Sequence, residues 1–419
     1  MTVEMGQPRK RRTPLGFPGC LLGLMAATVT WSVGFTMVAP AVVAVDARSK
    51  QWYLSAMQAE EMWKTTTGEG VKVAVIDSGV NPSTQSLKGQ VLKGFDATGA
   101  KGDEYDDYDG HGTTMAELIA GTGKGGGLQG LAPGAKIIPF RVTDTEFQNS
   151  HSVNANDAED AIRAAADSDA RIISISTGSD FPGRGEREAV KYAQGKGKLL
   201  FAAVGNDAQE GNKEQYPAAY PQVVGVASAD REGKVAEYSQ NGRIVDIAAP
   251  GNGIPHWCDE TFQSYCDGDG TSAATAIASA SAALVWSAHP DWTANQVLNV
   301  LFDTASRDWE KDTLSKYLGH GLIRPSMNIL KGKGDPGDPD ISPLTKERTS
   351  GSPASSASAS SQPGKGETDE KAGDTAMAGS TADAEKDDNS RLGLIIGGVA
   401  AVVVLGGGVF VLVRRRRAG

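Results

Sequence analysis

Short, almost wholly apolar runs, bounded by glycine and polar clusters, organise the middle of this chain. Val71–Ile76, Ile172–Ile175, Leu199–Val204 and Val223–Ala227 are each brief and rich in branched side chains. Runs of this length without alternation predict strands buried on both faces, the mark of a parallel sheet. Between and after them, Thr113–Ala120, Ala158–Ala166, Glu186–Ala193 and the small-residue stretch Ala273–Ala288 read as helices. Strands alternating with helices predict the α/β class, with a mostly parallel sheet covered on both faces.

Apolar residues also gather near the two ends. Arg9-Lys10-Arg11-Arg12 stands before the apolar stretch Leu15–Val45. That order, charge then apolar, predicts a secretory signal over 1–44, with cleavage near Ala41, Ala44 or Ala47, and export of the rest of the chain. Leu392–Val413 carries no charged residue and as a helix would span about 33 Å at about 1.5 Å per residue, enough for a hydrocarbon core of roughly 30 Å. We expect one C-terminal transmembrane helix over 392–413. Arg414–Arg417 then place the 414–419 tail in the cytoplasm and the body of the protein outside the cell membrane. Residues 332–390 are mostly Ser, Ala, Gly, Pro, Asp and Lys; such a composition cannot bury a core and predicts a disordered linker.

The 419 residues carry a formal charge of −10, which leaves room for one large domain over 71–331 plus these appendages. No basic stripe is present, so nucleic acid is excluded as a partner, and the spread-out acidic balance reads as solubility.

Candidate chemistry sits at the ends of the apolar runs. Asp77-Ser78-Gly79 closes the run Val71–Ile76, at the carboxyl edge where open α/β sheets keep their sites. His111 lies between Gly110 and Gly112 at the start of one expected helix, and Ser272, in Gly270-Thr271-Ser272, at the start of another, near the positive end of its dipole. A carboxylate, an imidazole and a hydroxyl are the three groups of a charge-relay site: the hydroxyl attacks, the imidazole takes its proton, the carboxylate orients the imidazole. Asn206, after Leu199–Val204 and Gly205, supplies an amide suited to an oxyanion. His151, His256, His289 and His320 read as surface or capping residues, and no pair of them has metal-ligand spacing. This chemistry calls for no metal and no organic cofactor, and no dedicated Ca²⁺ loop is present.

Taken together, Asp77-Ser78-Gly79, His111-Gly112-Thr113, Ala202-Ala203-Val204-Gly205-Asn206 and Gly270-Thr271-Ser272-Ala273-Ala274 resemble the subtilisin-like serine peptidases (peptidase S8). Tyr216-Pro217-Ala218-Ala219-Tyr220-Pro221, Tyr238-Ser239 and Ala248-Ala249-Pro250-Gly251 extend the likeness. Gln51-Trp52-Tyr53-Leu54, with a signal and a membrane anchor, is similar to the mycosins of actinobacterial type VII secretion systems. The resemblance covers roughly residues 48–330 and implies a three-layer fold, peptide-bond hydrolysis through an acyl-enzyme, a polypeptide substrate, and a type VII secretion membrane complex as partner. It also implies that Ser176-Thr177-Gly178 line the cleft and pair with substrate backbone. The chain departs from the family in lacking a proline in the first turn after Ser272 and in carrying Glu117 where a small residue is common; both read as altered helix start and surface.

Cys258 and Cys266 are the cysteines that remain after signal removal, and export predicts a disulfide between them, closing a small loop just before Ser272. About 25 residues separate the cleavage region from the first core strand, too few for a folded propeptide; residues 45–70 are expected to pack on the domain, with Trp52, Tyr53 and Trp63 as anchors. Two other functions fit the same chain: a mainly structural secretion component with slow or dispensable proteolysis, and a general surface protease.

Overall fold

The computed structural model describes residues 47–143, 145–151 and 157–349. The expected signal, the linker beyond residue 349, the expected transmembrane helix over 392–413 and the basic tail lie outside the described residues. Among the described residues no helix is long and apolar enough to cross a membrane.

Seven strands, β1 (Lys72–Asp77), β2 (Phe95–Asp96), β3 (Lys136–Arg141), β4 (Ile172–Ile175), β5 (Leu199–Ala203), β6 (Val224–Ala229) and β7 (Ile247–Pro250), form one sheet in the order β2-β3-β1-β4-β5-β6-β7. Every pair is parallel. The side-chain period of a strand explains why these runs are apolar at successive positions rather than only at alternate ones. Val73, Val75, Ile137, Ile172, Leu199 and Phe201 point into one core, and Ala74, Ile76, Ile138, Ile173, Leu200 and Ala202 into the other.

Nine helices are described: α1 (Trp52–Ala56), α2 (Ala59–Met62), α3 (His111–Ala120), α4 (Thr145–His151), α5 (Asp157–Asp167), α6 (Arg184–Gly195), α7 (Thr271–Ala288), α8 (Ala294–Thr304) and α9 (Ser326–Lys331). Helices α3, α7 and α8 share the first core, α5 and α6 the second, giving the α/β subtilisin-like arrangement. Helix α7 is buried on nearly every side from Thr271 to Trp286. Its alanines and serines let it lie close to β4–β7 and α3, and the buried hydroxyls of Thr275 and Ser281 bond back to the carbonyls of Thr271 and Ile277 at 2.8 Å. Strands β8 (Ile254–Trp257) and β9 (Tyr265–Gly268) make a separate antiparallel hairpin, closed by the Cys258–Cys266 disulfide.

The segment before β1 is folded onto the domain. Gln51 exchanges amide and backbone bonds with Gln129 at 2.8 Å. The indoles of Trp52 and Trp63 donate to the carbonyls of Asn252 and Leu131, and Tyr53 is fully buried. At the other end one expectation is corrected: residues 332–349 do not begin a disordered linker. Ser342 is buried and Leu344 packs on the first core, while Thr293 and Asn295, at the start of α8, donate to the Pro339 carbonyl. A few anchored polar and apolar side chains order a stretch whose average composition reads as disordered.

Candidate active site

Asp77 is the last residue of β1, 1% exposed, and its Oδ1 lies 2.7 Å from Nδ1 of His111. The same oxygen accepts the Ser78 backbone N–H at 2.8 Å. What lets β1 and α3 approach this closely is Gly112: a Cβ there would fall 2.1 Å from the Gly79 carbonyl oxygen and 3.0 Å from the Asp77 Cβ. The first turn of α3 is fastened by Asp107, which accepts from Ser78 Oγ, the Gly110 N–H, the Thr113 N–H and the Thr113 hydroxyl at 2.6–2.8 Å. A carboxylate at a helix N-terminus is well placed to meet unpaired N–H groups.

Burial works against a charge on His111, but the Asp77 charge and its hydrogen bond, joined by Asp109 and Asp107, outweigh it and raise the imidazole pKa to about 9. The ring thus holds a proton below about pH 9 and is neutral, and able to accept one, above it.

Ser272 is the second residue of α7. Its hydroxyl donates to the Ser176 carbonyl at 3.3 Å, and it shares a cavity wall with His111 and Asn206. The Asn206 side chain is oriented by Thr271, whose N–H and hydroxyl both donate to Oδ1, at 2.9 and 3.0 Å. This turns Nδ2 toward Gly270, beside the serine. Thr271 Oγ1 also accepts the Gly205 N–H at 3.2 Å, and Gly205 is needed in that turn because its φ is +105° and Gln240 fills the place of a Cβ. The structure therefore brings Asp77, His111, Asn206 and Ser272 to one edge of the sheet. Ser176, Thr177 and Gly178 line a cleft of about 830 Å³ that also reaches His111, and the Ser179–Tyr216 bridge closes the far side of that segment.

Two positions are corrected. Glu117 is not on the surface: it is fully buried on α3, accepting from the Thr84 hydroxyl at 2.7 Å and the Tyr265 hydroxyl at 2.6 Å. Burial lifts its pKa to about 7 against those hydrogen bonds. His256 lies in β8 rather than at a helix end, is half-buried and lines the cavity beside Ser272. Sequence reasoning missed Asp107 and Thr271. An acidic residue three positions before the helix-starting Gly110, and a threonine fixed beside the serine, were the signals present.

The fold and this edge define a subtilisin-like serine-type endopeptidase. Residues 68–321 match the subtilase family, Peptidase S8, and the chain belongs to it. It is 35% identical to thermitase of Thermoactinomyces vulgaris over 231 residues, 54% of this chain and 78% of that protein. With Subtilisin E of Bacillus subtilis (strain 168) it shares 34% identity over 260 residues, 61% of this chain and 65% of that protein. Among solved structures, MycP1 from Mycobacterium smegmatis superposes with a TM-score of 0.58 at 26% identity, over 71% of this chain and 88% of that one. The MycP3 protease from the type VII (ESX-3) secretion system gives 0.55 at 29% identity, over 70% and 90%.

Proposed function

We propose that this chain is a membrane-anchored, extracytoplasmic serine endopeptidase that works with a type VII secretion membrane complex. The observation that carries the catalytic part is the Asp77–His111 pair at 2.7 Å, its carboxylate buried and its ring half-buried, facing a helix-borne serine and an amide whose orientation Thr271 fixes. Ser272 Oγ attacks the scissile carbonyl while His111 takes its proton, and Asp77 holds the ring and stabilises the imidazolium. The Asn206 amide and the Ser272 backbone N–H receive the oxyanion. The carbon–nitrogen bond then breaks, His111 returns the proton to the departing amine, and water repeats the sequence on the acyl-enzyme. Ser176, Thr177 and Gly178 pair with the acyl-side backbone of the polypeptide.

Association with secretion is supported by the two MycP neighbours and by the Gln51-Trp52-Tyr53-Leu54 start. The anchor and the outward orientation rest on the apolar stretch 392–413 and the arginines after it. A second reading, a structural component with dispensable proteolysis, draws on one observation: the Ser272 hydroxyl rests on the Ser176 carbonyl rather than on His111. Catalytic hydrogen bonds are often unmade before substrate arrives, and the catalytic reading requires Ser272 to turn from Ser176 to His111 when substrate binds.

Labelling of the full-length chain by a fluorophosphonate probe tests the catalytic roles. Labelling that disappears in Ser272→Ala and His111→Ala supports them, and a folded chain that takes no probe refutes them. Comparing secretion in a Ser272→Ala strain and a deletion strain tests the physiological part: full rescue by Ser272→Ala makes the structural role the correct one.

A further inference from the structure

Two cavities meet at His111. The larger holds Ser176–Gly178; the smaller, of about 310 Å³, lies where His111, Asn206 and Ser272 face the β8–β9 hairpin through His256 and Trp257. Its floor is apolar and closed: Met115 and Leu118 of α3, Ile254 and Ala273 are all buried. At its rim stand two exposed carboxylates, Asp109 and Asp269.

The hairpin is held rigidly against α3. The Trp257 ring stacks on Tyr265 at 3.9 Å and meets Phe262 edge-on. The Trp257 backbone N–H donates to Thr114 Oγ1 at 3.0 Å, and about one helical turn on, the Tyr265 hydroxyl donates to Glu117 at 2.6 Å. The disulfide closes the far end, and Lys50 reaches Asp267 at 2.9 Å from the outer side. A buried carboxyl is costly unless its hydrogen bonds are directional and made, and those of Glu117 fix the hairpin to the helix that begins with His111.

We propose that this hairpin is the specificity wall on the departing side of the substrate: the residue after the scissile bond enters the smaller cavity and packs on Trp257, and Glu117 acts through Tyr265 as a positioning residue. The proposal rests on the roles given above to Ser272 and to Ser176–Gly178, since an acyl group held along 176–178 sends the departing amine to the opposite side of His111. An apolar floor with a carboxylate rim suits an aliphatic residue or a long-stemmed cation such as lysine, and disfavours aspartate and glutamate.

Competition within the acyl-enzyme reads this subsite directly. Full-length chain in detergent is acylated with a peptide ester, and leucinamide, lysinamide and aspartamide compete with water for the acyl group. The ratio of aminolysis to hydrolysis is independent of how much enzyme is active, because both products come from one intermediate. Leucinamide and lysinamide should exceed aspartamide at least tenfold, and Trp257→Ala should compress that ordering to about twofold. Tyr265→Phe, which keeps every ring, should weaken it about threefold. Glu117→Ala should act like Tyr265→Phe, with Glu117→Gln restoring the wild-type ordering because an amide still bonds Tyr265 and Thr84. A wild-type ordering in both Trp257→Ala and Tyr265→Phe overturns the subsite alone. A wild-type chain that neither takes the fluorophosphonate probe nor turns over the ester overturns the catalytic roles and the subsite with them.

Discussion

Replacing Asp77 by Asn removes the charge that faces His111 while keeping the side chain's shape. In the wild-type chain burial opposes the imidazolium, and the Asp77 charge and its 2.7 Å hydrogen bond are the main groups that overcome it, giving a pKa of about 9. Without that charge the ring returns toward its ordinary 6.5. A general base works only when neutral. Near pH 6, roughly one wild-type imidazole in a thousand is neutral, against roughly one in four in the variant; near pH 10 both are mostly neutral. The wild-type advantage in kcat/KM should therefore widen by on the order of a hundredfold between those conditions, beyond a pH-independent loss of roughly four powers of ten from the wrong tautomer. The sign for stability is fixed by the same shift: the His111 contribution is complete below about pH 6.5 and disappears as pH rises through about 9. The assay is kcat/KM against pH on a quenched peptide at constant ionic strength, replaced by the rate constant of fluorophosphonate labelling where turnover is slow. A wild-type limb centred near 6.5, or the same limb in both proteins, refutes the claim that Asp77 sets the charge state of His111.

Asn206→Ala should lower kcat by roughly 10²–10³ with little change in KM, as steady-state kinetics on an amide substrate will read. Thr271→Val keeps the backbone bond to Asn206 but loses the hydroxyl bond at 3.0 Å; a net hydrogen bond of about 1 kcal/mol corresponds to about a fivefold fall in kcat. Gly112→Ala drives a methyl into the Gly79 carbonyl and should cost about 1–3 kcal/mol in urea denaturation, with Asp77–His111 coupling lost in the pH profile. Glu117 has a folded pKa of about 7 against an ordinary 4.5, so the folded state holds its proton more tightly and loses stability as pH rises from about 4.5 through about 7. Glu117→Gln should remove that slope, and its urea midpoint should gain on the wild type between pH 5 and pH 8; equal slopes in the two proteins would count against a titrating buried carboxyl.

Much of this organisation was legible because burial on both faces writes itself as runs that are apolar at nearly every position. Ile172–Ile175 and Leu199–Ala203 occur where their composition places them. Strand β3 escaped because Pro139 interrupts Lys136–Arg141, and proline inside an apolar run argues against a central strand. The β8–β9 hairpin escaped because Ile254–Trp257 and Tyr265–Gly268 are mixed and half-exposed. Their pairing depends on the disulfide and on α3 rather than on local pattern. Glu117 was misjudged for a related reason: a charge in sequence says nothing about the Tyr265 hydroxyl waiting 148 residues away. At the site, the candidates Asp77, His111, Asn206 and Ser272 were readable from type and order, whereas the residues that hold them, Asp107 and Thr271, become visible only when distant segments are brought together.

Helix α7 has a consequence for the protein's own survival. An enzyme that cuts polypeptides is surrounded by copies of itself, and each copy is a substrate whenever a segment opens long enough to be threaded through a cleft. Amides in a helix enclosed between sheet and neighbouring helices exchange with solvent only when the whole domain opens, while exposed loops open locally at far smaller free energy. Ser272 is thus borne at the head of one of the best-protected segments of the fold, and self-digestion should begin at exposed loops and leave the serine's support intact until global unfolding.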